Sequence, residues 1–308
     1  MANASYTIDR NEANNNNKLS PKPLIPKRKK RGFKSILKKS ILPHTILITV
    51  GFLFLVPFLW LFLTSLKTAD EIFAIPIQWF PSEWQWTNYI DAIQAIPFFK
   101  YIWNTVVICL FSVLGQLLSA PLVAYGFAKL KFIGRDFLFY LMMSTMILPY
   151  QITMIPLYVL YTKMGIVEHA PTLPLILPNF FGAAFYIFLL RQFFMGIPNE
   201  YSESARMDGA SEFRIYWQII LPLSKPVLFT VALLTFLGAW SDYLGPLIYL
   251  NDPSTWTLSL GLRGYIGSNQ IDWGMLMAAA TMFTVPIVIL YFFVQRQFIE
   301  GISMTGFK

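Results

Sequence analysis

The residues able to do chemistry are few, and most of them lie in one place. Between two long apolar runs sits a polar stretch carrying Glu203, Ser204, Ala205, Asp208 and Gly209, closed by Ile219, Ile220, Leu221 and Pro222. No nucleophile stands out beside a base, and no Gly-x-x-x-x-Gly-Lys-Ser/Thr nucleotide loop occurs in the chain. One cysteine, Cys109, excludes an intramolecular disulfide, and His44 and His169 lie far apart with no ligand spacing around them. Metal chemistry has no support, and a membrane-embedded enzyme has no constellation to carry it. What remains for the stretch is recognition. Small residues at Ser202, Ser204 and Ala205 let a helix sink into a partner groove, while Glu203 makes a charge-assisted contact at the rim. An amphipathic loop resting on the inner leaflet is the other reading of the same residues.

The elements that must present these groups can be read locally. Asn199 follows Pro198 and caps a helix from Glu200 to Asp208. Gly209 supplies the left-handed residue that ends it without a Cβ clash. Ser211 caps a second helix that stops near Pro222. In that helix Phe213, Tyr216, Trp217 and Ile220 recur at i, i+3, i+4 and i+7, which predicts one apolar face.

The surroundings are a membrane. Of 308 residues 56% are hydrophobic and 13% charged, outside the usual soluble range. Apolar runs at roughly 41–66, 102–128, 137–160, 173–194, 226–250 and 274–296 each exceed the ~20 residues a helix needs to cross a ~30 Å hydrocarbon core. Backbone groups in lipid must be satisfied within a helix or a closed barrel, so the fold class is all-α, polytopic, with six transmembrane helices. With the amino terminus inside, 20 of the 24 Lys and Arg residues fall on the inner side, which places both termini in the cytoplasm.

Residues 1–40 hold 11 of the basic residues, beside Asn14 to Asn17, and predict a disordered tail apposed to anionic headgroups at ~1 kcal/mol per basic residue. Six spans argue against nucleic acid as its partner. The long first apolar run, with no small-residue cleavage site after it, reads as a retained anchor. The remainder divides into a six-helix membrane domain over 41–296 (core 100–296), the polar loop 195–225 and a cytoplasmic tail, 297–308. Outside, 67–101 carries Trp79, Trp84 and Trp86 as interfacial anchors or a docking surface, and 251–273 is glycine-rich. Asp242 is the one carboxylate clearly within a span, and an ionisable group there faces a cavity or a partner. It has the chemistry to bond the hydroxyls of a polar ligand, with Trp240 or Tyr243 packing on a ring face; the alternative is a structural bond to a partner chain or a neighbouring helix amide. Gln116 and Asn179 read as helix-packing hydrogen bonds and Arg191 as a snorkelling inner-end charge.

The spacing Glu203-Ser204-Ala205, Gly209, Ile219-x-Leu221-Pro222 resembles the signature cytoplasmic loop of ABC importer permeases. The resemblance extends from about residue 42 to the end. It runs through Thr87-Asn88-Tyr89, Asn104-Thr105, Ala124-Tyr125-Gly126-Phe127-Ala128, Phe132-Ile133-Gly134-Arg135, Met146-Ile147-Leu148-Pro149 and Trp240-Ser241-Asp242-Tyr243. These are similar to the smaller, six-span permease of the maltose-type carbohydrate importers. Ser204 departs from that family's usual second alanine. The resemblance implies a type I importer permease fold in a prokaryotic cytoplasmic membrane. It implies a second homologous permease, two ATP-binding subunits seated on the coupling loops, and an extracytoplasmic sugar-binding protein. ATP and Mg would be held by the ATPase, leaving this chain without a cofactor. By the same resemblance Glu203, Ser204, Ala205, Asp208, Gly209, Ile219, Leu221 and Pro222 form the ATPase-coupling loop. The tail residues Phe298, Gly301 and Lys308 reach toward the ATPase pair. The competing reading is a secondary transporter driven by an ion gradient, which calls for paired halves with broken helices and buried carboxylates near the midplane. A scaffold whose loop binds some other cytoplasmic protein is a further one.

Overall fold

The computed structural model describes residues 41–267 and 271–305. The basic tail over 1–40 and Lys308 therefore lie outside the described residues, as do the side chains of Phe298 and Gly301. Two units divide the chain, one ending at Val56 and one running from Pro57 onward. In the first, the described part is helical from Leu42 and exposed apart from Val56, as lipid-facing apolar residues are.

In chain order the helices used below are α1 (Leu42–Thr64), α2 (Thr87–Ala95), α3 (Phe98–Lys129), α4 (Arg135–Ser144), α5 (Tyr150–Lys163), α6 (Ala184–Gly196), α7 (Glu200–Met207), α8 (Glu212–Ile215), α9 (Lys225–Ser241), α10 (Leu244–Tyr249) and α11 (Trp273–Thr305). Among the described residues four stretches are long and apolar enough to cross a membrane: Leu42–Thr64, Phe98–Lys129, Leu173–Gly196 and Trp273–Phe293. Two bent pairs raise the count to six.

Two of the expected spans are interrupted. The run 137–160 breaks where Pro149 takes an extended conformation, and the segments on either side meet at 97°. The run 226–250 is interrupted at Asp242, whose backbone leaves the helical region (ψ 120°), so that α9 ends and the short α10 begins. The loop segment Glu212–Leu223 lies at 79° to α9, the attitude of an element lying across the end of a span.

The centre of the second unit is α3. With 32 residues it is about 48 Å long at 1.5 Å per residue. Its small residues let neighbours approach closely, as transmembrane packing requires. A Cβ on Gly115 would sit 2.5 Å from the Phe180 ring. Gly182, at φ +76°, packs its backbone directly on Ala120. An inner core joins Ala120, Ala124 and Tyr125 to Leu190 and Phe194 of α6, Ile215 and Ile220 of the loop, and Val227 and Val231 of α9. An outer core joins Ala92, Tyr101, Leu258, Tyr265, Ala278 and Ala279.

Two charges are held by specific contacts. Lys67, expected in an open external segment, is 1% exposed. Its ammonium donates to Gln78 O (2.5 Å) and stands 4.3 Å above the Trp60 ring. Arg191, expected to snorkel, donates from Nε to Phe127 O (3.3 Å) and stacks 4.0 Å from the Phe139 ring. Trp79, Trp84 and Trp86 of the segment 67–101 are each about half exposed.

Candidate functional site: the inner loop

The loop takes the predicted two-helix form. α7 runs from Glu200 to Met207, Asp208 closes it, and Gly209 turns the chain at φ +80°. Ser211 caps α8, its Oγ accepting from Arg214 N (3.3 Å). Asn199 occupies the residue before α7 but makes no side-chain cap. Its Oδ1 instead accepts from Lys129 Nζ (2.9 Å), which also donates to Ile197 O (2.7 Å).

The second helix differs from its predicted single face. Ile215, Tyr216 and Ile220 are buried, whereas Phe213 and Trp217 are exposed and stack on each other at 6.4 Å. The reason is the wide π-helical turn over Tyr216–Ile220, which re-spaces side chains that a 3.6-residue period would have aligned.

The loop's candidate residues fall into two sets. Glu203, Ser204, Asp208, Gly209 and Pro222 are exposed. Ala205, Ile219 and Leu221 pack against the inner core. The first set is left uncovered on the surface of the loop, and the second packs the loop onto the rest of the second unit.

Charge chemistry does the same. Arg206 Nε donates to Glu212 Oε1 (2.6 Å) and its second nitrogen to Oε2 (3.3 Å), a forked pair joining the end of α7 to the start of α8. Tyr125 Oη donates to the same Oε2 (2.6 Å). These bonds, from Arg206 first and Tyr125 second, hold the Glu212 carboxyl below its usual range. Glu212 lies off the predicted apolar face of the second helix, so its position along the helix gives it no role. The available signal was Arg206 six residues earlier, beyond the helical neighbour distances, and Tyr125 has no local signal at all.

The expected substrate path divides. Trp240 is 3% exposed, donates from Nε1 to Phe283 O (3.2 Å), and stacks on Phe236 and Phe283. Its ring surface is already occupied, so Trp240 is a packing residue here and offers no face to a sugar. Tyr243 is exposed. Asp242 accepts from Gly245 N (3.1 Å), the helix-amide bond that was the structural alternative. It also lines a cavity of ≈ 210 Å³ with Ser112, Asn179 and Thr235. Ser112 Oγ is buried without a hydrogen-bond partner among the described residues, which leaves it for water or a ligand in that space. Gln116 Oε1 accepts from Ala183 N (3.3 Å) at the break before α6, a helix-packing bond as expected.

Among the described residues no group of three or more His, Cys, Asp or Glu side chains could hold a metal. Cys109 is buried and unpaired.

Residues 119–303 match the family model described as binding-protein-dependent transport system inner membrane component. The chain is 30% identical over 267 residues to the diacetylchitobiose uptake system permease protein NgcG of Streptomyces coelicolor, covering 86% of this chain and 88% of that one. It is 34% identical over 272 residues to the arabinooligosaccharides transport system permease protein AraQ of Halalkalibacterium halodurans, covering 85% and 96%. In fold it is similar, with a TM-score of 0.73 at 23% identity over 85% of this chain, to a chain in the crystal structure of a bacterial ABC transporter involved in the import of the acidic polysaccharide alginate.

Proposed function

With the chain a member of the binding-protein-dependent transport system inner membrane component family, we propose that it forms half of the path of an ATP-driven oligosaccharide importer. It is a multi-pass membrane permease of the type I importer fold. Nothing in these comparisons supports the ion-gradient alternative. Carbohydrate as cargo rests on relatives that serve diacetylchitobiose and arabinooligosaccharide uptake.

The observation that carries the coupling role is the way α7 is built. Its exposed Glu203 and Ser204 and the turn at Gly209 are displayed from a loop anchored by Ala205, Ile219 and Leu221. In our reading the exposed set enters a groove on a separate ATP-binding subunit, with Glu203 at the rim. That subunit holds ATP and Mg, while this chain does no chemistry on them. A second permease completes the path, a binding protein delivers sugar outside, and both termini are cytoplasmic. ATP closes the ATPase pair, the loop moves with it, and the spans open outward, because the two states bind nucleotide and sugar differently.

Gentle affinity purification from the native membrane followed by mass spectrometry tests this. The expected companions are a second permease, an ATPase at two copies and a retained sugar-binding protein. A chain recovered alone, under conditions that keep other ABC complexes intact, would overturn the reading.

A further inference from the structure

The inner loop joins α6 to α9 in the chain, yet its polar anchors are on α3. Lys129 holds the start of α7 through Ile197 O and Asn199 Oδ1. Tyr125, one turn away, holds Glu212 at the start of α8, and Glu212 holds Arg206 at the end of α7. Both helices of the loop are thus tied to the last turns of one span.

The other end of the same helix is tied as specifically. Asn104 Nδ2 donates to Ser254 O (3.1 Å) and Trp256 O (3.0 Å). The fully buried Thr105 accepts from Leu258 N (2.9 Å) and donates to Tyr101 O (2.7 Å). Gly261 approaches the Tyr101 ring so closely that a Cβ would lie 2.3 Å from it. The external segment over 254–261 is therefore held by the outer turns of α3. The two sets of ties stand 20 to 25 residues apart along one helix, about 30 to 38 Å at 1.5 Å per residue. Pro121 removes one backbone bond, but Ala120 and Ala124 on either side of it are packed in the inner core with no exposure.

We propose that α3 is the strut that carries movement of the inner loop to the external segment over 251–265, with Tyr125 and Lys129 as positioning residues at one end and Asn104 and Thr105 at the other. The proposal rests on the reading that the loop docks an ATPase. Helices interrupted within the membrane, as at Gly182 and Asp242, can absorb displacement at their breaks, whereas an unbroken helix pinned at both ends passes it on. The pinned helix is the physical connection that long-range coupling requires, and coupling energies decide whether it is used.

The test uses the co-purified complex with Cys109→Ser and a spin label on Asp252→Cys in the exposed external segment. ATP, which binds only on the inner side, is the stimulus. Wild type should show an ATP-dependent change at the label. Tyr125→Phe with Lys129→Met should lose it and lower sugar moved per ATP hydrolysed by roughly tenfold, within the ordinary range of coupling. The ATPase should remain bound. Lys129→Arg, which keeps the donors, should restore both signals in the Tyr125-intact chain. Asn104→Leu should lower the same ratio from the opposite end. Distant independent sites give additive losses, so the inner and outer changes combined should cost no more than either alone. Additive losses, or an unchanged label response in both variants with ATPase bound, would overturn the strut. A wild-type complex that retains no ATPase would instead overturn the importer reading beneath it.

Discussion

The two ends of α3 hold their neighbours by different chemistry. At the inner end the ties are charged: a lysine, a forked arginine–carboxylate pair and a phenol bonded to the same carboxylate. At the outer end they are neutral, an amide and a hydroxyl bonded to main-chain groups, with a glycine packed on a tyrosine ring. Apart from Lys129 to Ile197 O, the inner bonds run between side chains, whose rotamers can follow a moving partner. Side-chain bonds to backbone groups at buried positions fix one geometry. The contrast fits an end that is worked by a partner and an end that must only follow.

The largest effect should come from the inner turn. Gly209→Val places a β-branched residue at φ +80° in open space, where a Cβ meets nothing within 4 Å, so the damage is backbone strain of roughly 1–3 kcal/mol. Uptake should be abolished and ATPase retention weakened, while membrane insertion is unchanged. Gly209→Asn, which tolerates that conformation, should retain most uptake. Wild-type uptake by the valine variant would remove the loop from the coupling role.

At the outer end the opposite cause operates. Gly261→Ala should destabilise by about 1–3 kcal/mol through overpacking on Tyr101, read as a lower unfolding temperature in detergent. Adding Tyr101→Leu should recover part of the loss. If Gly261→Ala alone is silent, the outer end is looser than the comparison requires.

A smaller change sharpens the substrate path. Asp242→Asn keeps an oxygen to accept from Gly245 N, so the helix start survives and assembly should be normal. A several-fold change in sugar affinity would then report the lost charge in the cavity. Dissociation of the permease pair with unchanged selectivity would make Asp242 structural.

The smallest effect is in pH. Glu212 has a lowered folded pKa, so its contribution is fully present above the ordinary carboxylate value. It is lost only as pH falls through the lowered one. Thermal stability should be flat in this respect through neutral pH and fall on acidification below the ordinary range. The Glu212→Gln chain should lack that part of the acid limb. An identical acid limb in both chains would mean that the inner tie contributes nothing.

Much of this was legible in the amino acids because it depends on local rules. Apolar runs longer than a bilayer is thick reveal spans, Gly209 between two capped segments reveals the turn, and the spacing from Glu203 to Pro222 reveals the family. What escaped depends on residues far apart in the chain. Tyr125 and Glu212 are 87 positions apart and Asn104 and Ser254 are 150 apart, and no periodicity registers such pairs. Trp240 reads as a sugar platform beside Asp242 until Phe236 and Phe283 cover its ring. The bend at Pro149 and the helix break at Asp242 arise within runs that hydropathy counts as continuous, since it measures transfer to lipid and is blind to direction. By itself the sequence determined that the chain is a helical membrane protein with a polar loop turned at Gly209, because burial in lipid and backbone stereochemistry act residue by residue; the permease followed from the resemblance of that loop to a family. Only the tertiary structure decided that this loop hangs on α3. That attachment is made by hydrogen bonds whose partners meet only after the spans have packed.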